Sequence, residues 1–505
     1  MEPNVGQILE KRALLTPNRE GLVEWESGRR FKYGELDERA NRIANFLRGL
    51  GVKKGDRVSI LALNGIYFVD IFFGVGKLGA IFAPLNWRLA APEQEYILND
   101  SEPAVLFYGP EFAERVEELK PKVKVEHYFP LSDYEDLLSR GSPEPPPPVE
   151  LSLEDPHTIF YTSGTTGRPK GAILPHRMIL WNSVNTITSW GLTADDVGPI
   201  FTPMFHSGGI NVLLVPLFHV GGKVILVRKF DPADALRLIE RERATVVFMV
   251  PTMYQMMAES DNFRETDLSS VKFMISGGAP CPVELIQLYQ RRGVVFKQGF
   301  GMTEVGVNCF SMTAEEAFAK PGSVGKPIMH SWVRIVDEEG REVGPNEVGE
   351  LIIAGPHVCS GYWRKPEETR EALVDGWFHT GDLAKRDEDG FYYVVGRKKE
   401  MFISGGENVY LAEVEAVLNS HPKVKEAAVI PVPDPKWGEV GRAIVVLKEG
   451  EIATEEEMKA FCEGKLARYK IPKSFVFTHE PLPRNPYGKL VRSELVKRYG
   501  KTGGQ

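Results

Sequence analysis

The chain has 505 residues, room for several domain cores at roughly 150 residues each. Its 43% hydrophobic and 26% charged content is that of an ordinary globular enzyme, and a net charge of −8, from 61 basic and 69 acidic residues, offers no nucleic-acid surface. Cys281, Cys309, Cys359 and Cys462 are widely spaced and form no CxxC pair, which excludes a zinc ribbon and a disulfide framework.

The first residues carry neither a basic leader nor a long apolar core, so a reducing, cytoplasmic location is expected. Leu36, Ala40, Ile43, Ala44, Leu47 and Leu50 recur at helical spacing, and Gly49 and Gly51 end the run. A strand is expected over 57–63. The apolar helix expected over 67–85 is interrupted by Asp70 and Lys77, which suits a buried helix rather than a membrane span. Inside it Gly74, Gly76 and Gly79 spell GxGxxG, with Glu95 near the distance of a ribose-binding acid. No clean strand precedes that fingerprint and no polar turn surrounds it, so no nicotinamide cofactor is expected. A strand follows over 103–108, and residues 141–150, GSPEPPPPVE, form an extended Pro-rich connection.

Residues 158–161 read as a short buried strand that leads into YTSGTTGRPKG, residues 161–171. Ser, Thr and Gly dominate this loop and a Lys follows, so backbone N–H groups and hydroxyls can surround phosphate oxygens without obstruction. Leaving the carboxyl end of a sheet, it would lie where open α/β folds bind ligands. It is not a Walker loop, because Lys170 stands three residues after Gly167 rather than beside it.

Beyond the loop, strands at 223–227, 245–250 and 271–275 alternate with helices at 231–243 and 282–291, the first capped by Asp231 with Pro232 in its first turn. Such alternation implies parallel sheets covered by helices. After residue 330 the texture turns to β hairpins, 333–336 and 350–354, which points to a smaller β subdomain. From Glu400 the chain reads as a compact α+β unit: helix 410–419, strands 426–432 and 442–447, helix 454–468 and strand 474–478. The charged run 396–400 is the expected boundary.

The loop 161–171 resembles, almost residue for residue, the signature loop of the adenylate-forming superfamily, which holds AMP-forming acyl-CoA synthetases, luciferases and peptide-synthetase adenylation domains. The resemblance spans nearly the whole chain. It implies an α/β fold with a large N-terminal domain of two helix-covered sheets plus a β subdomain over 1–397, a hinge at 398–399 with Lys399 as pivot, and a small mobile α+β C-terminal lid over 400–505. It also implies ATP, Mg2+ and coenzyme A, and the chemistry explains why. A carboxylate resists a thiol nucleophile, since oxide would have to leave. Joining it first to AMP makes a mixed anhydride, which needs a phosphate cradle, a divalent ion, a nucleoside pocket and a cation at the reacting oxygens.

Each role finds a match by resemblance. Thr162, Ser163, Gly164, Thr165, Thr166, Gly167 and Lys170 would hold the phosphates. In QGFGMTE, residues 298–304, the nucleotide contacts are Gly299, Phe300, Gly301 and Met302, with Phe300 against adenine where the family usually has Tyr. Thr303 would sit near the α-phosphate and the substrate carboxylate, and Glu304, with Thr166, would bind magnesium as a hard oxygen ligand. Gly278, Ala279 and Pro280 match the wall beside adenine. Asp382, ending WFHTGD, would accept from the ribose hydroxyls, with Val394 and Arg397 further along.

Lys489, in PRNPYGKL, matches the catalytic lysine that bridges carboxylate and α-phosphate; Tyr487 stands where Thr is usual. Ser404, Gly405 and Gly406 match the loop lining the pantetheine tunnel, with Trp437 as a coenzyme A contact and Leu411 replacing a frequent Pro. His206, in PMFHSGG, matches the gate of the thiol tunnel, and with Ser207, Gly208, Gly209 and Gly277 it would line the acyl pocket. His206 occupies the position of an Asp that pairs with an α-amine in adenylation domains, so an amino acid is disfavoured. The small residues around it leave volume for a bulky or long acid. A medium- or long-chain fatty acid is the expectation, and an aryl or arylpropenoic acid the rival. The partners are then a small carboxylic acid, ATP and coenzyme A; peripheral membrane contact and a homodimer stay open. A light-emitting oxygenase and a non-catalytic nucleotide module are the competing classes, and the presence of Lys489 and Glu304 speaks against the second.

Overall fold

The computed structural model describes residues 2–162, 169–398, 400–404, 407–463, 465–466, 468–485 and 489–500. The chain divides into two compact units, one of Met1–Cys281, Leu285–Val333 and Ile353–His379, the other of Pro282–Glu284, Arg334–Ile352 and Thr380–Gln505.

Two sheets dominate the first unit. One runs Phe296–Gln298, Phe273–Ser276, Val246–Met249, Val197–Ile200, Lys223–Leu226, Glu20–Glu24, Arg30–Lys32, parallel except for the last pair. The other runs His127–Pro130, Val105–Tyr108, Arg57–Leu61, Ile81–Phe82, Pro156–Thr162, Lys170–Pro175, again parallel except for its last pair. Parallel strands need crossovers, and helices supply them, as the alternating pattern predicts. The helix Pro232–Arg241 starts where expected, with Asp231 Oδ1 accepting from the Asp234 N–H at 2.9 Å. Its buried Leu236, Leu238 and Ile239 join Val247, Met249, Tyr254 and Phe296 in one core cluster.

The apolar helix is shorter than its sequence suggests. It spans Ile66–Leu78 and stops at Gly79, whose φ of +67° is costly for any residue with a Cβ; a two-residue strand, Ile81–Phe82, follows. The GxGxxG match proves to be a packing device. A Cβ on Gly74 would stand 2.4 Å from Ile43 Cγ2, and one on Gly76 would stand 2.9 Å from the Gly6 nitrogen, so these glycines let the helix lie against Tyr33–Gly49 and the N-terminal segment. The two charges that interrupt it are paired: Asp70 with Arg39 at 2.8 Å, Lys77 with Asp37 at 2.7 Å. Among the described residues no helix is long and apolar enough to cross a membrane.

In the second unit, Val424–Asp434 pairs antiparallel with Gly438–Leu447, which runs parallel to Ser474–Thr478. One face packs on Leu411–Asn419 and Glu455–Cys462 through Val414, Leu418, Met458 and Cys462; the other face packs on Leu495 of Arg492–Tyr499. The helix expected over 454–468 ends six residues early, at Cys462, where the chain turns into a bridge between Glu463 and Leu466. Residues 382–386 pair antiparallel with 392–397, with a register shift between Leu383 and Ala384.

Candidate functional site

The carboxyl ends of the two sheets of the first unit meet at Glu304. Thr162, the last residue of Pro156–Thr162, donates from Oγ1 to Glu304 Oε1 at 3.2 Å, and the Tyr362 hydroxyl donates to the same oxygen at 3.1 Å. Glu304 is buried, and both of these donors reach Oε1. Its stretch is a tight turn rather than the start of a helix: Met302 bridges Gly306, and the Cys309 N–H donates to the Phe300 carbonyl at 3.0 Å. His357 Nδ1 hydrogen bonds the Val305 carbonyl, and Asn182 Oδ1 accepts from the Val307 N–H at 3.2 Å, so the turn is held from two sides. Gly306 takes φ +83° there.

Tyr362 is missed by the sequence patterns. Its segment is carried by strand Lys170–Pro175, for Ala172 bridges Tyr362 and the Trp363 N–H donates to the Gly171 carbonyl at 2.7 Å. Burial, followed by the neighbouring Glu304 carboxylate, raises the Tyr362 hydroxyl far above its ordinary range and keeps it a donor. Lys170 Nζ stands 5.4 Å from the centre of the same ring. Ser163, Gly164, Thr165, Thr166 and Gly167 lie outside the described residues.

A second wall follows the ends of the seven-stranded sheet. Gly299 donates to the Ser276 carbonyl at 2.7 Å, Gln298 Oε1 accepts from the Cys281 N–H at 3.0 Å, and Gly278, Ala279 and Pro280 are exposed at this edge. Gly299, Phe300, Gly301, Met302 and Thr303 are half-buried, with the Phe300 ring edge-on to Phe310 at 5.8 Å. His206 precedes the short helix Ser207–Asn211, its ring 4.6 Å from that of Phe205. Asn64 fixes the approach to it, donating to the Thr202 carbonyl at 3.0 Å and accepting from the Met204 N–H at 2.8 Å.

The expected acyl-pocket residues separate into two kinds. His206 and Gly208 are half-buried, whereas Ser207 is buried and accepts from Asn211 Nδ2 at 3.0 Å. A Cβ on Gly209 would stand 2.2 Å from the Pro203 carbonyl oxygen, so this residue is small because backbone crosses it. Gly277 is buried against the Phe248 ring, which a Cβ there would meet at 3.0 Å.

In the second unit, Asp382 Oδ1 pairs with Arg397 Nε at 3.0 Å, and its own N–H donates to Thr380 Oγ1 at 3.0 Å. Burial raises the carboxyl above its usual range, while the Arg397 and Lys489 cations pull it back, so Lys489 acts on the same carboxylate as Arg397. The Lys489 loop is closed by two bonds: the Asn485 N–H to the Lys489 carbonyl at 2.8 Å, and the Lys489 N–H to Asn485 Oδ1 at 2.9 Å. Lys489 is exposed and Val394 half-buried. Ser404 pairs with Gly438, next to Trp437, which is 40% exposed. Lys399, Gly405 and Gly406 lie outside the described residues.

The model of the AMP-binding enzyme family matches residues 9–363, and that of the AMP-binding enzyme C-terminal domain matches residues 413–489. The chain belongs to this family. It is an AMP-forming acyl-CoA ligase, and it uses ATP, Mg2+ and coenzyme A. A feruloyl-CoA synthase of Amycolatopsis is 41% identical over 490 residues, covering 97% of this chain and 98% of that protein. The long-chain-fatty-acid–CoA ligase FadD13 of Mycobacterium tuberculosis is 36% identical, covering 99% of each. Among solved structures, an o-succinylbenzoate CoA synthetase from Bacillus subtilis in complex with its acyl-adenylate intermediate superimposes with a TM-score of 0.88 at 32% identity, covering 98% of both chains.

The donor set of this ligase suits magnesium. Among the described residues no group of three or more His, Cys, Asp or Glu converges on a metal, yet Mg2+ is commonly held by one or two carboxylates together with substrate phosphates. Glu304, with Thr162 and Tyr362 on one of its oxygens, would suit such a site. All four cysteines of the ligase are buried, and burial pushes the Cys281 and Cys359 thiols up to about 12, which disfavours the reactive thiolate.

Proposed function

We propose that the ligase activates its acid at the junction of the two sheets and passes the acyl group to coenzyme A there. The observation that carries this reading is the contact of Thr162, from the end of one sheet, with Glu304, from the end of the other. It brings the start of the phosphate loop to the carboxylate suited to magnesium. The acid's carboxylate attacks the α-phosphorus of ATP, a new O–P bond forms, and pyrophosphate leaves. Thr303 orients the carboxylate, and Glu304 with Thr166 would hold a magnesium ion, which would supply positive charge at the phosphates. Lys489 supplies positive charge to the reacting oxygens, and Asp382 holds the ribose, with Arg397 aligning it. In the second step the thiol attacks the acyl carbonyl and AMP leaves; Ser404, Gly405, Gly406 and Trp437 line its approach and His206 gates it. Lys399 is the hinge of the mobile C-terminal lid.

The acid's carbon skeleton is open between two classes, since one relative is a feruloyl-CoA synthase and another a long-chain-fatty-acid–CoA ligase. Acid-dependent exchange of pyrophosphate into ATP, followed by mass analysis of the coenzyme A product across fatty and aryl acids, tests the reading. Exchange that persists in Glu304→Ala at the wild-type rate would overturn the site.

A further inference from the structure

Residues 360–363 form a strap that runs antiparallel beside the strand Lys170–Pro175. The Ser360 N–H donates to the Ile173 carbonyl at 3.0 Å and the Ile173 N–H to the Gly361 carbonyl at 2.9 Å, ahead of the Trp363 bond to Gly171. Three successive side chains then go to three different partners. Tyr362 reaches Glu304, Trp363 Nε1 donates to the Asp100 carbonyl at 3.2 Å, and Arg364 pairs with the Glu102 carboxylate. Asp100 and Glu102 lie at the end of the helix Ala91–Ser101, with Glu102 as its C-cap. Asp100 Oδ2 also accepts from the Tyr161 hydroxyl at 2.7 Å, one residue before Thr162. One helix end therefore holds both segments that deliver donors to Glu304.

Arg364 and Glu102 both take left-handed backbone conformations, with φ of +53° and +47°. Glycine would occupy either place without strain. An ion pair between side chains 46% and 41% exposed adds little to folding stability, so stability alone does not account for these two residues. Arg57 supports the pair from below: its Nη2 donates to the Glu102 carbonyl at 2.7 Å, and its guanidinium lies 5.7 Å from the centre of the Trp363 ring. The Arg364 guanidinium lies 5.8 Å from the same centre. We infer that Arg364 and Glu102 are positioning residues for the first half-reaction, a surface clasp that fixes the strap and so keeps the Tyr362 hydroxyl on Glu304. This rests on the reading of Glu304 as the magnesium carboxylate. Arg364→Gly separates positioning from folding, because it relieves the backbone while it opens the clasp.

The test compares Arg364→Gly, Arg364→Lys, Glu102→Gln and Tyr362→Phe with wild type. In the unliganded protein, amide hydrogen exchange at 360–364 should quicken by about threefold to tenfold in Arg364→Gly and Glu102→Gln, while the melting temperature of Arg364→Gly stays at or above wild type. The Mg2+ concentration for half-maximal pyrophosphate exchange should rise about threefold in both, and stay near wild type in Arg364→Lys, which keeps the charge. A lowered melting temperature with faster exchange throughout Arg364→Gly makes the pair a folding contact and overturns the proposal. Arg364→Lys behaving as Arg364→Gly also overturns it, since the charge would then not hold the strap. A half-saturation point that stays at wild type in Arg364→Gly and Glu102→Gln, while Tyr362→Phe shifts it, removes the clasp and leaves Glu304 in place. Only Glu304→Ala working at the wild-type rate removes the site itself, and the clasp with it.

Discussion

The Tyr362 hydroxyl and Thr162 Oγ1 converge on one oxygen of Glu304, at 3.1 and 3.2 Å. A carboxylate held this way can rotate little, and its second oxygen keeps a fixed direction. Hydrogen bonds to a charged group contribute about 1.5–3 kcal/mol each. Tyr362→Phe should therefore raise the Mg2+ concentration for half-maximal adenylation by roughly tenfold, with a smaller rise for Thr162→Val. A magnesium titration of pyrophosphate exchange measures this. An unchanged half-saturation point in the folded variant would leave Tyr362 with a packing role only.

Lys489 acts electrostatically on the buried Asp382 from a loop far along the chain. Lys489→Ala should lower adenylation by about 10²–10³, the usual cost of removing a preorganised charge at a transition state. Conversion of preformed acyl-AMP to thioester should stay near wild type, because that step expels AMP without forming a P–O bond. Equal losses in both steps would refute the assignment.

The candidate site residues stand out in the sequence because each lies in a short continuous motif. YTSGTTGRPKG and QGFGMTE state their residue types locally, and Asp231 announces its helix through one local side-chain bond. Tyr362, His357 and Asn64 were not legible. Each acts on a partner distant in sequence, and a Tyr, a His or an Asn in a loop carries no local sign of its partner. The apolar helix was extended too far past Gly79 because Ile81 and Phe82 continue the hydrophobic run, and the change from helix to strand depends on backbone conformation rather than on polarity.

Three histidines are held neutral in the interior. Burial lowers His157 well below its ordinary value, and brings His176 and His357 to about 4. Unfolded histidine takes up its proton near 6.5, so between there and about 4 the unfolded chain binds more protons than the native one. Stability is therefore complete above that window and falls on acidification through it, by about 1.4 kcal/mol per pH unit for each fully neutral histidine. His157 and His176 meet edge-on at 4.9 Å, and His176 Nδ1 accepts from the Val5 N–H, so protonation also strikes the anchorage of the N-terminal segment. The urea midpoint should drop between pH 7 and pH 5. His176→Gln, which retains an acceptor for Val5, should show a shallower drop, and an identical slope would remove His176 from the acid response.

His206 tests whether the second half-reaction uses the residue next to the pocket. Its ring packs on Phe205, and Trp87 packs edge-on to Phe205 at 6.1 Å, so an aromatic cluster supports the imidazole from behind. A general base would contribute about 10²–10⁴ to the rate. A gate that only steers the thiol contributes less, and roughly tenfold is expected for His206→Ala in thioester formation from preformed acyl-AMP, with adenylation unchanged. Stopped-flow measurement of the two half-reactions separates these cases. A loss above about 10²-fold with a changed pH profile would make His206 the proton acceptor for the thiol, and no loss in either step would assign the ring to packing against Phe205.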